Sequence, residues 1–262
     1  MRTRCILFVF IFSTLFMCFS AIEKSNAKDQ NLIFYMSFDG VSGNVVDDKS
    51  GNGNAGALKD DAKIVKEGKF GSALSVSGKG YLDCGNGESL NQQFIGLTIE
   101  VWLYPKELAG IKAPVAKWAY SAQDDHYGLF LSEDKALAAV ADGATGEQGF
   151  TGSKPIEENK WNHIAVTWNS ADNMHQIYIN GKLDSSGPQT GKGINRKSQK
   201  SLTIGGQVAG PDPRFFNGLI DDVAIYSKVL TEEEIKRDML GLADVQSFNK
   251  LLLTWAGIRT QY

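Results

Sequence analysis

The sequence predicts an all-β sandwich closed by one short C-terminal helix. Three observations carry that prediction: apolar residues recur with a period of two from Asn31 onward, clusters of Gly, Asn, Asp and Ser punctuate the apolar runs, and one helix-start signature stands near Thr231. The chain has 262 residues, 42% of them hydrophobic and 22% charged, which suits one globular domain. Its 30 acidic and 27 basic side chains leave no cationic surplus to neutralise a phosphate backbone, so nucleic acid is not an expected partner.

The first segment reads as an export signal. Arg2 and Arg4 precede an apolar run from Ile6 to Phe19, and Ser25-Asn26-Ala27 offers the small residues of a cleavage site. The run is shorter than the roughly 20 residues a spanning helix needs, so cleavage after Ala27 is expected rather than anchoring. The mature chain, from residue 28, would then carry 24 basic and 29 acidic side chains, would not be an integral membrane protein, and would be secreted, extracellular or periplasmic. Cys5 and Cys18 leave with the signal, so Cys84 has no partner for an internal disulfide. It reads as a small buried apolar residue.

In Leu97–Tyr104 the aliphatic residues 97, 99, 101 and 103 share one face, and Thr98, Glu100, Trp102 and Tyr104 share the other, until Pro105 ends the strand. Comparable runs span Leu32–Phe38, Ala73–Val76, Tyr81–Cys84, Tyr127–Leu131, Leu137–Ala141, His163–Trp168, Gln176–Ile179, Ser201–Ile204 and Leu219–Tyr226. Asn180-Gly181 is a hairpin signal, because a two-residue type I′ turn requires positive φ at both positions. Thr231-Glu232-Glu233-Glu234 fits a capping box, and Ile235, Met239 and Leu242 follow at helical spacing. Residues 243–262 contain Leu251-Leu252-Leu253-Thr254-Trp255 and read as a strap or docking extension beyond a domain spanning 28–242.

Six strings in order resemble the laminin-G-like, concanavalin A-like jelly-roll family found in many secreted bacterial proteins. They are Tyr35–Asp39, Asp48–Asn54, Leu97–Pro105, Trp161–Trp168, Tyr178–Lys182 and Phe216–Tyr226, and together they cover about residues 31–240. The resemblance implies a two-sheet antiparallel jelly-roll sandwich whose inner faces form the core. It implies no single function, since this scaffold hosts lectins, glycosidases and adhesion modules. Most strand aromatics, Trp102, Trp161 and Trp168 among them, are therefore expected to pack rather than to bind.

Two sites are candidates. Asp47–Asn54 concentrates carboxylates, amides and a hydroxyl between glycines, the oxygen density a hard cation takes. The resemblance brings an Asp of the string Ile220–Val223 near it, so Asp48, Asn52 and Asn54 with Asp221 or Asp222, and with backbone carbonyls among the ligands, form a candidate structural Ca²⁺ site; the alternative is a loop whose Asp and Asn bond their own backbone. The second is a sugar surface of Trp118, Tyr120 and Asp124, with Phe150 on an opposing lip, pairing ring faces with groups that fix hydroxyls. Lys192–Lys200 is a basic cluster expected to be a solvated loop.

Catalysis is not expected. His126, His163 and His175 lack zinc-site spacing, Gly-x-Ser-x-Gly is absent, and Asp221-Asp222, being adjacent on a strand, would point to opposite faces. The reading is an exported module that recognises a carbohydrate or a surface protein, with a structural or assembly module as the alternative and a glycoside hydrolase or lyase behind it.

Overall fold

The computed structural model describes residues 29–119, 125–141, 147–188, 194 and 198–242. The expected signal segment, the strap at 243–262 and most of the 192–200 cluster lie outside these residues. In chain order the strands are β1 (Leu32–Met36), β2 (Val45–Val46), β3 (Gly56–Lys59), β4 (Lys63–Val65), β5 (Ala73–Ser77), β6 (Tyr81–Asp83), β7 (Gly96–Pro105), β8 (Ile111–Lys117) and β9 (Tyr127–Ser132). They continue as β10 (Lys135–Ala141), β11 (Glu147–Pro155), β12 (Asn162–Asn169), β13 (Met174–Ile179), β14 (Lys182–Pro188), β15 (Thr203–Ile204), β16 (Gly206–Gln207), β17 (Arg214–Phe215) and β18 (Asn217–Tyr226). One helix, α1 (Glu232–Asp238), follows.

Two antiparallel sheets result, as the sequence predicts. The first runs β14-β13-β12-β7-β18-β5-β4, with β1 also paired to β18; the second runs β11-β10-β9-β8-β15-β6-β3-β2. A small β16-β17 ribbon lies apart. The inner faces meet in one core in which Ile99, Val101 and Leu103 of β7, Ile164, Val166 and Trp168 of β12 and Ile220, Val223 and Ile225 of β18 pack with Val115 of β8, Leu129 and Leu131 of β9 and Val140 of β10 from the second sheet. Burying an aliphatic side chain of this size contributes about 1.5–3 kcal/mol, so this sheet-to-sheet contact dominates the stability of a chain in which Cys84 is the one cysteine among the described residues. Cys84 is itself buried, and burial pushes its thiol well above its usual range.

The local signals behave as their chemistry requires. Asn180 and Gly181 adopt φ of 51° and 73°, the two positive values of a type I′ turn, and join β13 to β14. The Glu234 amide donates to Thr231 Oγ1 at 3.2 Å and the Thr231 amide donates to Glu234 Oε2 at 2.8 Å, completing the capping box. Ile235 and Leu242 then bury against Tyr35, Ala165, Tyr178 and Tyr226 on the outer face of the first sheet. The helix therefore covers one part of that face.

Two elements depart from the sequence pattern. Strand β8 contains Pro114, whose missing N–H falls where the pairing with β9 shifts register, and the Pro114 carbonyl accepts from the Gly205 amide at 2.8 Å. Strand β11 carries Phe150 along the edge of the second sheet, where the sequence predicts a lip loop. The placement of Asp221 and Asp222 also differs. Ile220 and Val223 both point into the core, and the register shifts between Asp221 and Ala224, so a β-bulge sends both acids to the outer face. Asp222 holds φ at 45° to make that turn.

Candidate functional site

The loop of Asp48, Asn52 and Asn54 seals the free edge of β1. Asp48 Oδ1 accepts from the amides of Tyr35 (3.1 Å) and Ser50 (2.9 Å), and Asp48 Oδ2 accepts from the amide of Asn54 (3.0 Å) and from Asn54 Nδ2 (3.0 Å). Asn52 Nδ2 donates to the carbonyls of Leu32 and Ile33, both at 3.1 Å, and Asn54 Nδ2 reaches the Ile33 carbonyl at 3.3 Å. Side chains thus replace the missing neighbouring strand, which protects an otherwise open edge.

This geometry bears on the expected metal site. A cation would meet the amide N–H groups of Asn52 and Asn54 rather than their oxygens, and the Asp48 carboxylate is already committed to N–H donors. Asp221 and Asp222 do not complete the set. Asp221 accepts from the amides of Phe70 (2.9 Å) and Asp222 (2.8 Å), and Asp222 Oδ1 accepts from the Tyr35 hydroxyl at 2.8 Å. Among the described residues no group of three or more His, Cys, Asp or Glu side chains is placed to hold a metal ion. The five residues do not fit a Ca²⁺ ion as one site.

The expected sugar surface also changes. Trp118 is 3% exposed and packs edge-on against Phe130, with ring centroids 5.7 Å apart, beside Ala113, Ala116 and Ala139. An indole so enclosed offers no face to a ligand. Phe150 is half-buried and stacks on His175 at 6.1 Å, and Tyr120 and Asp124 lie outside the described residues.

Half-exposed rings occur instead on the outer face of the first sheet, on the side that α1 leaves uncovered. Strand β7 sends Thr98, Glu100, Trp102 and Tyr104 to this face, opposite its aliphatic core residues. Tyr104 and Trp161, which precedes β12, are both half-exposed, with centroids 5.7 Å apart. Trp102 is 6% exposed: His163 covers one side at 5.2 Å, Phe70 meets it edge-on at 6.3 Å, and the Lys69 ammonium stands 4.3 Å over its indole. Leu219, the cross-strand partner of Tyr104, extends the apolar row.

Beneath and beside these rings lie buried acids. Asp221, the cross-strand partner of Trp102, is fully buried, and burial pushes its carboxyl from 3.8 up to about 8; the Phe70 and Asp222 amides oppose that rise, while the Asp222 and Asp39 carboxyls add to it. Burial, then the adjoining Asp238 carboxyl, hold Glu100 well above the usual carboxylate range. His163, with Nε2 3.9 Å from Glu100, is lowered by burial to about 3 and stays neutral. Glu100 faces Asp238 of the helix, and the 2.7 Å bond from the Tyr226 hydroxyl to Asp238 ties the sheet to it. None is open to a substrate.

A second feature is a depression of about 190 Å³ lined by Phe38, Asp39, Val41, Ser42 and Asp47. It is smaller than the roughly 300–1,000 Å³ of ordinary ligand pockets. The ring-bearing sheet face is the larger candidate.

Comparison with known proteins agrees with this architecture. A family model described as the concanavalin A-like lectin/glucanases superfamily, of the laminin G type, matches residues 76–236. The chain belongs to that superfamily. Its curated relatives include the sushi, von Willebrand factor type A, EGF and pentraxin domain-containing protein 1 of Mus musculus and of Rattus norvegicus, each 23% identical over 146 residues. Those matches take in 53% of this chain, which spans 4% of the relatives' length.

Solved structures of the same fold include the binding domain of Paraclostridial Mosquitocidal Protein 1, with TM-score 0.63 and 20% identity over 80% of this chain and 52% of that one. Domain 4 of AbnA, a GH43 extracellular arabinanase from Geobacillus stearothermophilus in complex with arabinotriose, gives TM-score 0.61 and 20% identity over 80% of this chain and 98% of that one. The binding domain of botulinum neurotoxin DC in complex with rat synaptotagmin II gives 0.64 and 18% over 81% and 52%. At these identities the likeness establishes the fold; this superfamily member shares it with binding domains.

Proposed function

We propose that the chain is an exported recognition module that binds a carbohydrate on the outer face of its first sheet and acts by binding alone. The observation that carries this reading is the half-exposed Tyr104–Trp161 pair, two rings meeting at 63° beside Leu219 on an open sheet face. Sugars present apolar C–H faces that stack on such rings, and an open surface suits an extended chain better than a small molecule, which needs enclosure. The similar solved structures include two binding domains and a domain holding an oligosaccharide, which supports the reading. The nearby acids Glu100, Asp221 and Asp222 are buried, and the latter two are hydrogen-bonded within the fold, which supports binding over hydrolysis.

The test is a glycan array probed with the mature protein and with Trp161→Ala. Binding to a defined set of glycans that the variant loses, at unchanged melting temperature, is the expected result. Equal array signals for the two proteins would overturn the assignment to this face.

A further inference from the structure

The ring-bearing sheet face carries cations as well. Tyr104, Leu219, Ser75 and Lys63 form one row across four adjacent strands, with Leu219 paired to both Tyr104 and Ser75 and Ser75 paired to Lys63, and Trp161, just ahead of β12, extends the row through its ring contact with Tyr104. The neighbours Leu103, Ile220 and Leu74 bury in the core, which fixes the row on the outer face. At the usual interstrand spacing the row is about 19 Å long. Its Lys63 end is exposed, and that ammonium makes no ion pair or side-chain hydrogen bond among the described residues.

Lys69 adds a second free cation. Its ammonium is held 4.3 Å over the Trp102 indole and 6.0 Å from the Phe70 ring, again without a carboxylate partner among the described residues. The indole holds the ammonium by its face without using up its hydrogen-bond donors, which remain available to an incoming acceptor. Asp61 is engaged by the Ser77 hydroxyl, and Asp221 lies buried below.

We propose that the ligand of this face is an anionic polysaccharide, one carrying uronic carboxylates along an extended chain. The inference rests on the carbohydrate-binding reading above and names its substrate class: Tyr104 and Trp161 stack on sugar rings, Lys69 takes a carboxylate beside them over Trp102, and Lys63 takes another at the far end of the row. The overall charge of −3 makes the two lysines a local feature, so the attraction acts only on a ligand placed along the row.

The experiment titrates the mature protein by calorimetry with octamers of galacturonate and of hyaluronate, and with the carboxyl-reduced derivative of each. At least one acidic octamer is expected to bind about tenfold tighter than its reduced derivative at low salt, and Lys63→Gln/Lys69→Gln is expected to remove that preference while leaving binding of the reduced octamer intact. Raising the salt should erase the same preference. Equal affinity for acidic and reduced octamers, or an unchanged preference in the double variant, would refute the anionic ligand and leave the carbohydrate reading standing. If neither acidic octamer binds, the proposal is likewise refuted; the glycan array decides separately whether the carbohydrate reading falls with it.

Discussion

The Asp221 carboxyl makes the stability of this fold depend on pH in a direction opposite to that of most acids. It is fully buried at the β18 bulge, and burial raises it from 3.8 to about 8. The folded state therefore holds a proton that the unfolded chain has released, and stability falls as the pH rises from about 4 to about 8. A one-proton difference between the two states costs about 1.4 kcal/mol for each pH unit, so the loss reaches about 4 kcal/mol by pH 7, a large share of the roughly 5–15 kcal/mol that holds a domain together. Asp221→Asn removes the titration. Its amide keeps one acceptor for the Phe70 and Asp222 amides and leaves the other unmatched, a pH-independent cost of about 1–3 kcal/mol.

Urea unfolding of both proteins at half-unit pH steps isolates the effect, because titrating groups that do not act on Asp221 cancel in the difference. Wild type is expected to be the more stable at pH 4, to lose ground at about 1.4 kcal/mol per pH unit, and to be the less stable by pH 8. A difference that stays flat between pH 4 and pH 8 would show that Asp221 is ionised in the folded protein and that burial does not hold its proton.

Histidine, loop, sheet and turn can each be tested in the same way. His126 and His163 are each lowered by burial to about 3, so the stability they contribute is complete above pH 6.5 and lost as the pH falls toward 3; their ring-proton NMR shifts should stay at neutral values down to pH 4, and an inflection near 6.5 would contradict this. Asp48→Ala should cost about 2–4 kcal/mol, equally in Ca²⁺ and in chelator, because it orphans the amides that seal β1; a loss seen only in Ca²⁺ would return the loop to the metal-ligand reading. Glu100→Gln should raise the melting temperature at pH 8 more than at pH 5, since burial and the Asp238 carboxyl oppose ionisation of Glu100; equal changes at the two pH values would contradict that. Gly181→Ala, at φ 73° and with its new methyl 3.2 Å from Met239 Sδ, should cost about 1–2 kcal/mol by urea unfolding, and a neutral result would refute the turn assignment.

The sandwich is legible in the sequence because β7 alternates without error and because Asn180-Gly181 and Thr231–Glu234 carry their own turn and cap chemistry. Strand β8 is hidden by Pro114, and β11 by its Gly and Ser content, since neither shows a period-two apolar pattern. The Asp48–Asn54 loop resembles a cation site by composition, and composition does not say which way an amide faces; the edge of β1 takes the Nδ2 groups. Alternation alone places Thr98, Glu100, Trp102 and Tyr104 on one face. Which of them α1 buries, and which are left beside Trp161, depends on where a helix about 130 residues downstream packs, as the bond from Thr98 Oγ1 to the Lys228 carbonyl, with a sequence separation of 130, shows. Trp118 misleads for the same reason, because this outer-face residue of the second sheet is covered.

The function proposed for this chain turns on carbohydrate binding at the Tyr104–Trp161 face. Calorimetric titration of the strongest array glycan into wild type, Tyr104→Ala and Trp161→Ala, with melting curves as the folding control, examines that binding without an intermediary. Loss of about tenfold or more in affinity for each variant, at unchanged stability, is the expected result. Unchanged affinity in both folded variants would place the ligand elsewhere on the molecule and overturn the proposed function of this face.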